Sequence, residues 1–128
     1  MLVGLIVIAC SSAHAGEFAN VKDQIATARQ ALVTMILHRD KRGPEQQKLV
    51  QETANIVSVH LATMKVPTGK AAEFKELRDT WAAFKKTREK ELVPAILAGD
   101  SGTYERIGAG IQKERLDRMY VLTALLDK

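Results

Sequence analysis

Cysteine is almost missing from this chain: Cys10 is the only one in 128 residues. No intrachain disulfide can form, so stability has to come from packing. A covalently attached haem is excluded as well, because it needs Cys-x-x-Cys-His. Aromatic residues amount to 5%, too few to supply the stacking platforms that single-stranded nucleic acid requires. Proline occurs 3 times and glycine 8 times. No Pro/Gly/Ser-rich linker divides the chain, and one domain with one core is expected. Charge of one sign is also scarce, since 19 Lys and Arg stand against 15 Asp and Glu for a net charge of +4. Stretches such as RDKRGPE and KKTREKE interleave the two signs and read as solvated helix faces, not as a nucleic-acid surface.

The motifs that usually arm a helical protein are missing too. A di-iron centre needs Glu-x-x-His on two helices, and the sequence has none. A non-covalent bundle haem would take a Met early in the first helix and a His late in the fourth, but Val21 and Met119 to Thr123 occupy those regions. Met35, His38, His60 and Met64 have the softness to ligate copper or haem. The reading preferred here makes the two methionines core fillers and lets the two histidines flank the stripe with their rings reaching solvent. There is no Gly-rich phosphate loop, nucleophile elbow or paired-carboxylate motif. The expectation is a protein that is not an enzyme and holds no cofactor or metal.

What is present begins with a short apolar run, Leu2 to Ala9, followed by Cys10-Ser11-Ser12-Ala13-His14-Ala15. Roughly 20 apolar residues are needed to span a bilayer, and this run is shorter. Three readings stay open: a secretory signal cleaved after Ala13-His14-Ala15, a lipobox Val7-Ile8-Ala9-Cys10 with lipidation of Cys10, or the end of a membrane anchor. Each places residues 17–128 outside the cytoplasm, with any membrane contact confined to residues 1–16.

After that segment the apolar residues adopt a helical period. Val21, Ile25, Ala28, Leu32 and Met35 recur at spacings of four and three, which predicts a helix running to about Lys41. Gly43-Pro44 breaks it, and Pro44 suits the first position of a second helix, where its missing N–H costs nothing. Val50, Ala54, Val57, Leu61 and Met64 repeat the pattern. Val66-Pro67-Thr68-Gly69 turns the chain, with Thr68 expected to cap a third helix whose stripe is Phe74, Leu77, Trp81 and Phe84. Pro94 should kink or end that helix. Gly99 is the expected stop, and Asp100 or Ser101 the cap of a fourth helix lined by Tyr104, Ile107, Ile111, Met119, Leu122 and Leu126. Gly108 and Gly110 weaken that helix and mark either a close approach or a pliable spot. Short connections make neighbours antiparallel, so the expected fold is all-α, an antiparallel up-down-up-down four-helix bundle.

The segment EFKELRDTWAAFKKTREKELVPAILAGD, a Trp/Phe-bearing helix followed by a mixed-charge stretch and a small-residue turn, resembles the four-helix-bundle sensory domain of bacterial chemoreceptors. IGAGIQKERLDRMYVLTALLDK continues the likeness, which covers roughly 100 residues and has no diagnostic position. The resemblance implies a periplasmic bundle that binds a small solute and pairs into a homodimer through helix faces. No membrane span or signalling region follows Lys128 in this sequence, so a receptor fragment and a free-standing periplasmic helical protein both remain open, the latter a structural, carrier or chaperone-like protein or a bundle-cytochrome relative without haem ligands.

The apolar stripes fail at one height. Arg88 follows Phe84 at the next stripe spacing, and between Ile111 and Met119 helix four offers Glu114, Arg115 and Arg118. A buried charge is costly unless paired, so the plain expectation is an Arg88–Glu114 pair near the surface, with Arg115 and Arg118 snorkelling outward. The sharper expectation is that Arg88, Glu114, Arg115 and Arg118 form the site for a small anionic solute, held through bidentate guanidinium bonds.

Overall fold

In the computed structural model, which describes residues 16–128, regular structure is helical and no strand occurs among the described residues. Cys10, the cleavage pattern and the Leu2 to Ala9 run lie outside the described residues. Four helical stretches make up the rest. The first is α1 (Glu17–Leu37) and the second α2 (Pro44–Thr63). The third is α3 (Ala71–Thr87), a π-helical turn (Arg88–Leu92) and α4 (Val93–Leu97). The fourth is α5 (Ser101–Ala109) followed by α6 (Ile111–Leu126). No described helix is long and apolar enough to cross a membrane.

Each four-three stripe is an inner face. Val21, Ile25, Ala28, Leu32 and Met35 are buried on α1, Val50, Ala54, Val57, Leu61 and Met64 on α2, and Phe74, Leu77, Trp81 and Phe84 on α3. Polar contacts identify the ends that meet. Near the start of α1, the Gln24 Oε1 lies 2.8 Å from Nδ1 of His60, late in α2. Near the other end of α1, Gln46 of α2 donates to the Ala31 carbonyl at 2.8 Å. Lys70, just before α3, donates its ammonium protons to the Leu125 and Lys128 carbonyls at 3.2 and 3.0 Å. Arg42, in the α1–α2 connection, donates to the carbonyls of Met35, Ile36 and Ile96, tying that turn to the end of α4.

The helix ends depart from expectation in two places. α1 stops at Leu37 and residues Arg39–Lys41 form a separate 3-10 turn, short of the helix to Lys41 that the stripe suggests. Thr68 does not cap α3; Lys70 holds the cap position and no side chain bonds there. The other punctuation holds. Pro44 opens α2, Gly99 sits at φ 71° after α4, and the Asp100 N–H closes that turn on the Ala95 carbonyl at 2.8 Å. The Asp100 carboxylate caps α5, accepting from the Thr103 N–H at 3.2 Å and its hydroxyl at 2.6 Å. Those bonds hold its carboxyl below the usual range.

Pro94 neither ends the third stretch nor acts at its own position. In a straight α-helix its ring would strike the carbonyl of residue 90. The chain widens before it instead: the Val93 N–H bonds five residues back to Arg88, the π-helical pattern. In the fourth stretch Gly110 is the break between α5 and α6. A Cβ there would sit 2.8 Å from the Arg106 carbonyl oxygen, to which the Gly110 N–H itself donates. Just after the break Ile111, expected inside, is 46% exposed and Gln112 is buried at 4%, whereas Met119, Leu122 and Leu126 are buried as expected.

Candidate functional site

The buried apolar residues fall into two clusters, one built around Phe74, Trp81 and Leu122, the other around Met35, Leu92 and Ile96. Between them runs a polar layer. Arg88, one α-helical turn after Phe84 and the first residue of the π-helical turn, is 1% exposed. Its guanidinium donates to the Ala28 carbonyl at 2.7 Å and the Val50 carbonyl at 2.9 Å, and its Nε has no hydrogen-bond partner. Loss of water pushes its pKa down to about 10, although Glu89 opposes that shift. Gln112 continues the layer, donating to the Phe84 carbonyl at 2.9 Å and accepting from Arg115 at 2.9 Å. The same Arg115 nitrogen also donates to the Thr87 hydroxyl at 2.8 Å.

These contacts revise the expected Arg88–Glu114 pair. Arg88 finds helix carbonyls two elements away, while Glu114 is exposed on α6. Carbonyl oxygens supply partial negative charge without the desolvation of a second ion, which is why the guanidinium tolerates burial with no carboxylate beside it. Arg115 is turned into the layer, and Arg118 reaches across to α3. There it grips Glu76 through two bonds of 2.5 and 2.8 Å, which hold the Glu76 carboxyl below its usual range. Arg88 and Arg115 thus belong to one polar layer, and Glu114 and Arg118 do not join it.

The open space lies beside that layer. Where α1 faces α5 and α6, the break at Gly110 leaves a groove of about 450 Å³, with Leu32, Phe84, Leu92 and Leu116 among the apolar side chains at its base. Gln112, fixed at both ends of its amide, lies among them. Gly108 is at the edge, where a Cβ would meet nothing within 4 Å. Arg29 and Glu105 give the rim charges of both signs, and Lys113 and Asp117 are already joined at 2.7 Å. Such a groove can hold a small solute with an apolar body and oppositely charged ends. The sequence hides it because Arg29 and Glu105 lie on different helices with no shared motif; the one local signal is the pair Gly108 and Gly110.

Among the described residues no group of three or more His, Cys, Asp or Glu is placed to hold a metal ion. Met35 and Met64 are both buried in the core, as expected, and His38 is exposed. His60 is not free in solvent; besides Gln24 its ring approaches the Glu17 carboxylate at 3.3 Å. Fold and groove together define an all-α, four-helix protein with a cleft at a break in its fourth stretch. Compared with family models, curated proteins and solved structures, the chain matches none.

Proposed function

We propose that the protein is an extracytoplasmic sensory module of the chemoreceptor type, an antiparallel up-down-up-down bundle that binds a small solute and does not catalyse a reaction. The meeting of opposite ends of α1 and α2, through Gln24 with His60 and Gln46 with Ala31, supports the antiparallel reading. The observation that carries the function is the groove of about 450 Å³ at Gly110, with its apolar base and its Arg29 and Glu105 rim. Its volume lies within the usual range for small-molecule sites. In this reading the anion expected at Arg88, Glu114, Arg115 and Arg118 is met instead by Arg29 on the groove's rim, while Arg115 bonds to the Gln112 amide that borders it.

Homodimerisation belongs to the same proposal. Leu49, Ile56 and Val59 are 45, 52 and 62% exposed along one side of α2. Two copies of α2 laid antiparallel would set Ile56 against Val59 of the partner and keep the two Glu52 carboxylates apart, which avoids like-charge repulsion.

Calorimetric titration of the full chain with the standard L-amino acids tests the function. At least one should give saturable heat, and Gly108→Phe, which fills the groove from an open position, should abolish it while the melting temperature holds. Absence of heat across the series, or undiminished binding in Gly108→Phe, would remove the proposal.

A further inference from the structure

On the opposite side of the third stretch lies a second cleft, and its chemistry differs. α2 packs chiefly on α1 and α3 chiefly on α6, so α2 and α3 cover one another sparsely. Trp81 reaches across from α3, donating its indole N–H to the Ser58 hydroxyl at 2.9 Å. Beside this link is a space of about 420 Å³. In the sequence, Lys85-Lys86-Thr87-Arg88-Glu89-Lys90 carries four cations and one acid. The helix sorts them: Arg78, Lys85, Lys86 and Lys90 all border the cleft, with Glu89 the only acid there.

Within the third stretch, ion pairing is incomplete at this cleft. Elsewhere on the third stretch Lys75 is joined to Asp79, and Glu76 to Arg118. Glu89 is taken by Lys85 at 2.8 Å. Arg78, Lys86 and Lys90 have no carboxylate within ion-pair distance among the described residues; Arg78 instead lies over the Phe74 ring, 5.3 Å from its centroid. Four cations against one carboxylate leave three positive charges around one concavity. Lys86 and Lys90 are one turn apart, a spacing at which like charges repel. A concave wall of low dielectric focuses such a field toward a bound counter-ion.

We propose that this cleft is a binding site for a compact multivalent anion of the pyrophosphate kind. Lysine ammonium groups serve as point charges for phosphate oxygens, and the Arg78 guanidinium can fork onto two of them. An anion of about three charges matches the excess, which a single carboxylate would not. The site is separate from the Gly110 groove: the two share no bordering residue.

Trp81 is the chain's only tryptophan and borders the cleft, which makes its fluorescence a local reporter. Sodium pyrophosphate added to the full chain at constant ionic strength should change that fluorescence saturably. Lys86→Gln combined with Lys90→Gln, both exposed positions, should weaken the apparent affinity at least tenfold with the melting curve preserved. Lys113→Gln, at the other groove, should bind as the parent does. The proposal is overturned if sodium chloride of equal ionic strength gives the same signal, or if the double variant saturates at the parent concentration. A negative result here leaves the amino-acid titration of the Gly110 groove untouched, and the reverse also holds.

Discussion

Arg88 places a full charge in the interior with carbonyl oxygens as its only bonding partners. Desolvation lowers its pKa from the ordinary guanidinium value to about 10, which corresponds to a burden on folding on the order of 3 kcal/mol. That burden is present in full below about pH 10, where both states hold the proton. It fades as pH rises beyond that, because there the unfolded chain alone remains protonated. The carbonyls lie within helices, so a neutral side chain of similar length should be accepted. Arg88→Met is therefore expected to match or exceed the parent in denaturant stability, whereas Arg88→Ala, which leaves a cavity, should lose about 3 kcal/mol. A large loss in both would show that the guanidinium bonds outweigh their desolvation. Glu76 offers a second test. Its bonds to Arg118 keep its carboxyl below the usual range, so the stability it adds is present above the ordinary glutamate pKa and disappears as pH falls through the folded value. In Arg118→Ala the NMR titration midpoint of Glu76 should rise, and an unmoved midpoint would contradict the pairing. The inward place of Arg88 is readable from its spacing after Phe84. Its partners are not, because a carbonyl acceptor leaves no trace in side-chain identity.

At the scale of elements, two local events set the positions of these residues. The π-helical turn ahead of Pro94 keeps Arg88 and Leu92 both buried, and the Gly110 break exchanges Ile111 for Gln112 inside. Gly108 and Gly110 look equivalent in sequence, yet only one of them has no room for a side chain. Gly110→Ala should destabilise by about 1–3 kcal/mol, because backbone must move away from the new Cβ. Gly108→Ala should be neutral or gain up to about 1 kcal/mol from helix propensity. Equal effects in denaturant melts would mean that the break does not depend on Gly110. The stripes of α1, α2 and α3 were legible because period and burial agree at each of their residues. On α6 the expected Met119, Leu122 and Leu126 are buried, and only Ile111, the first residue after Gly110, is misplaced, because a spacing carried across that break assumes one uninterrupted helix axis.

For the whole molecule, the charged residues that look evenly mixed along the chain are sorted by the fold into different places. Arg88 and Arg115 enter the polar layer, Arg118 joins Glu76, and Arg78, Lys86 and Lys90 gather beside Trp81. Four apolar stretches were enough to anticipate helices packed around a shared core. Neither cleft was legible: the Gly110 groove joins residues from Arg29 to Asp117, and the Trp81 cleft exists only because two consecutive helices, α2 and α3, cover one another sparsely. The exposed stripe of α2 makes a prediction at this scale: sedimentation of the full chain should give a dimer, and Ile56→Lys a monomer. A monomeric parent would contradict that contact. The solute-binding claim itself is tested most directly by ¹H–¹⁵N spectra of the full chain, titrated with the L-amino acid that gives the largest heat. Saturable shifts concentrated at Leu32, Gly108, Gln112 and Leu116, absent in Gly108→Phe, are expected. Shifts scattered over the surface, or spectra that do not change, would contradict it.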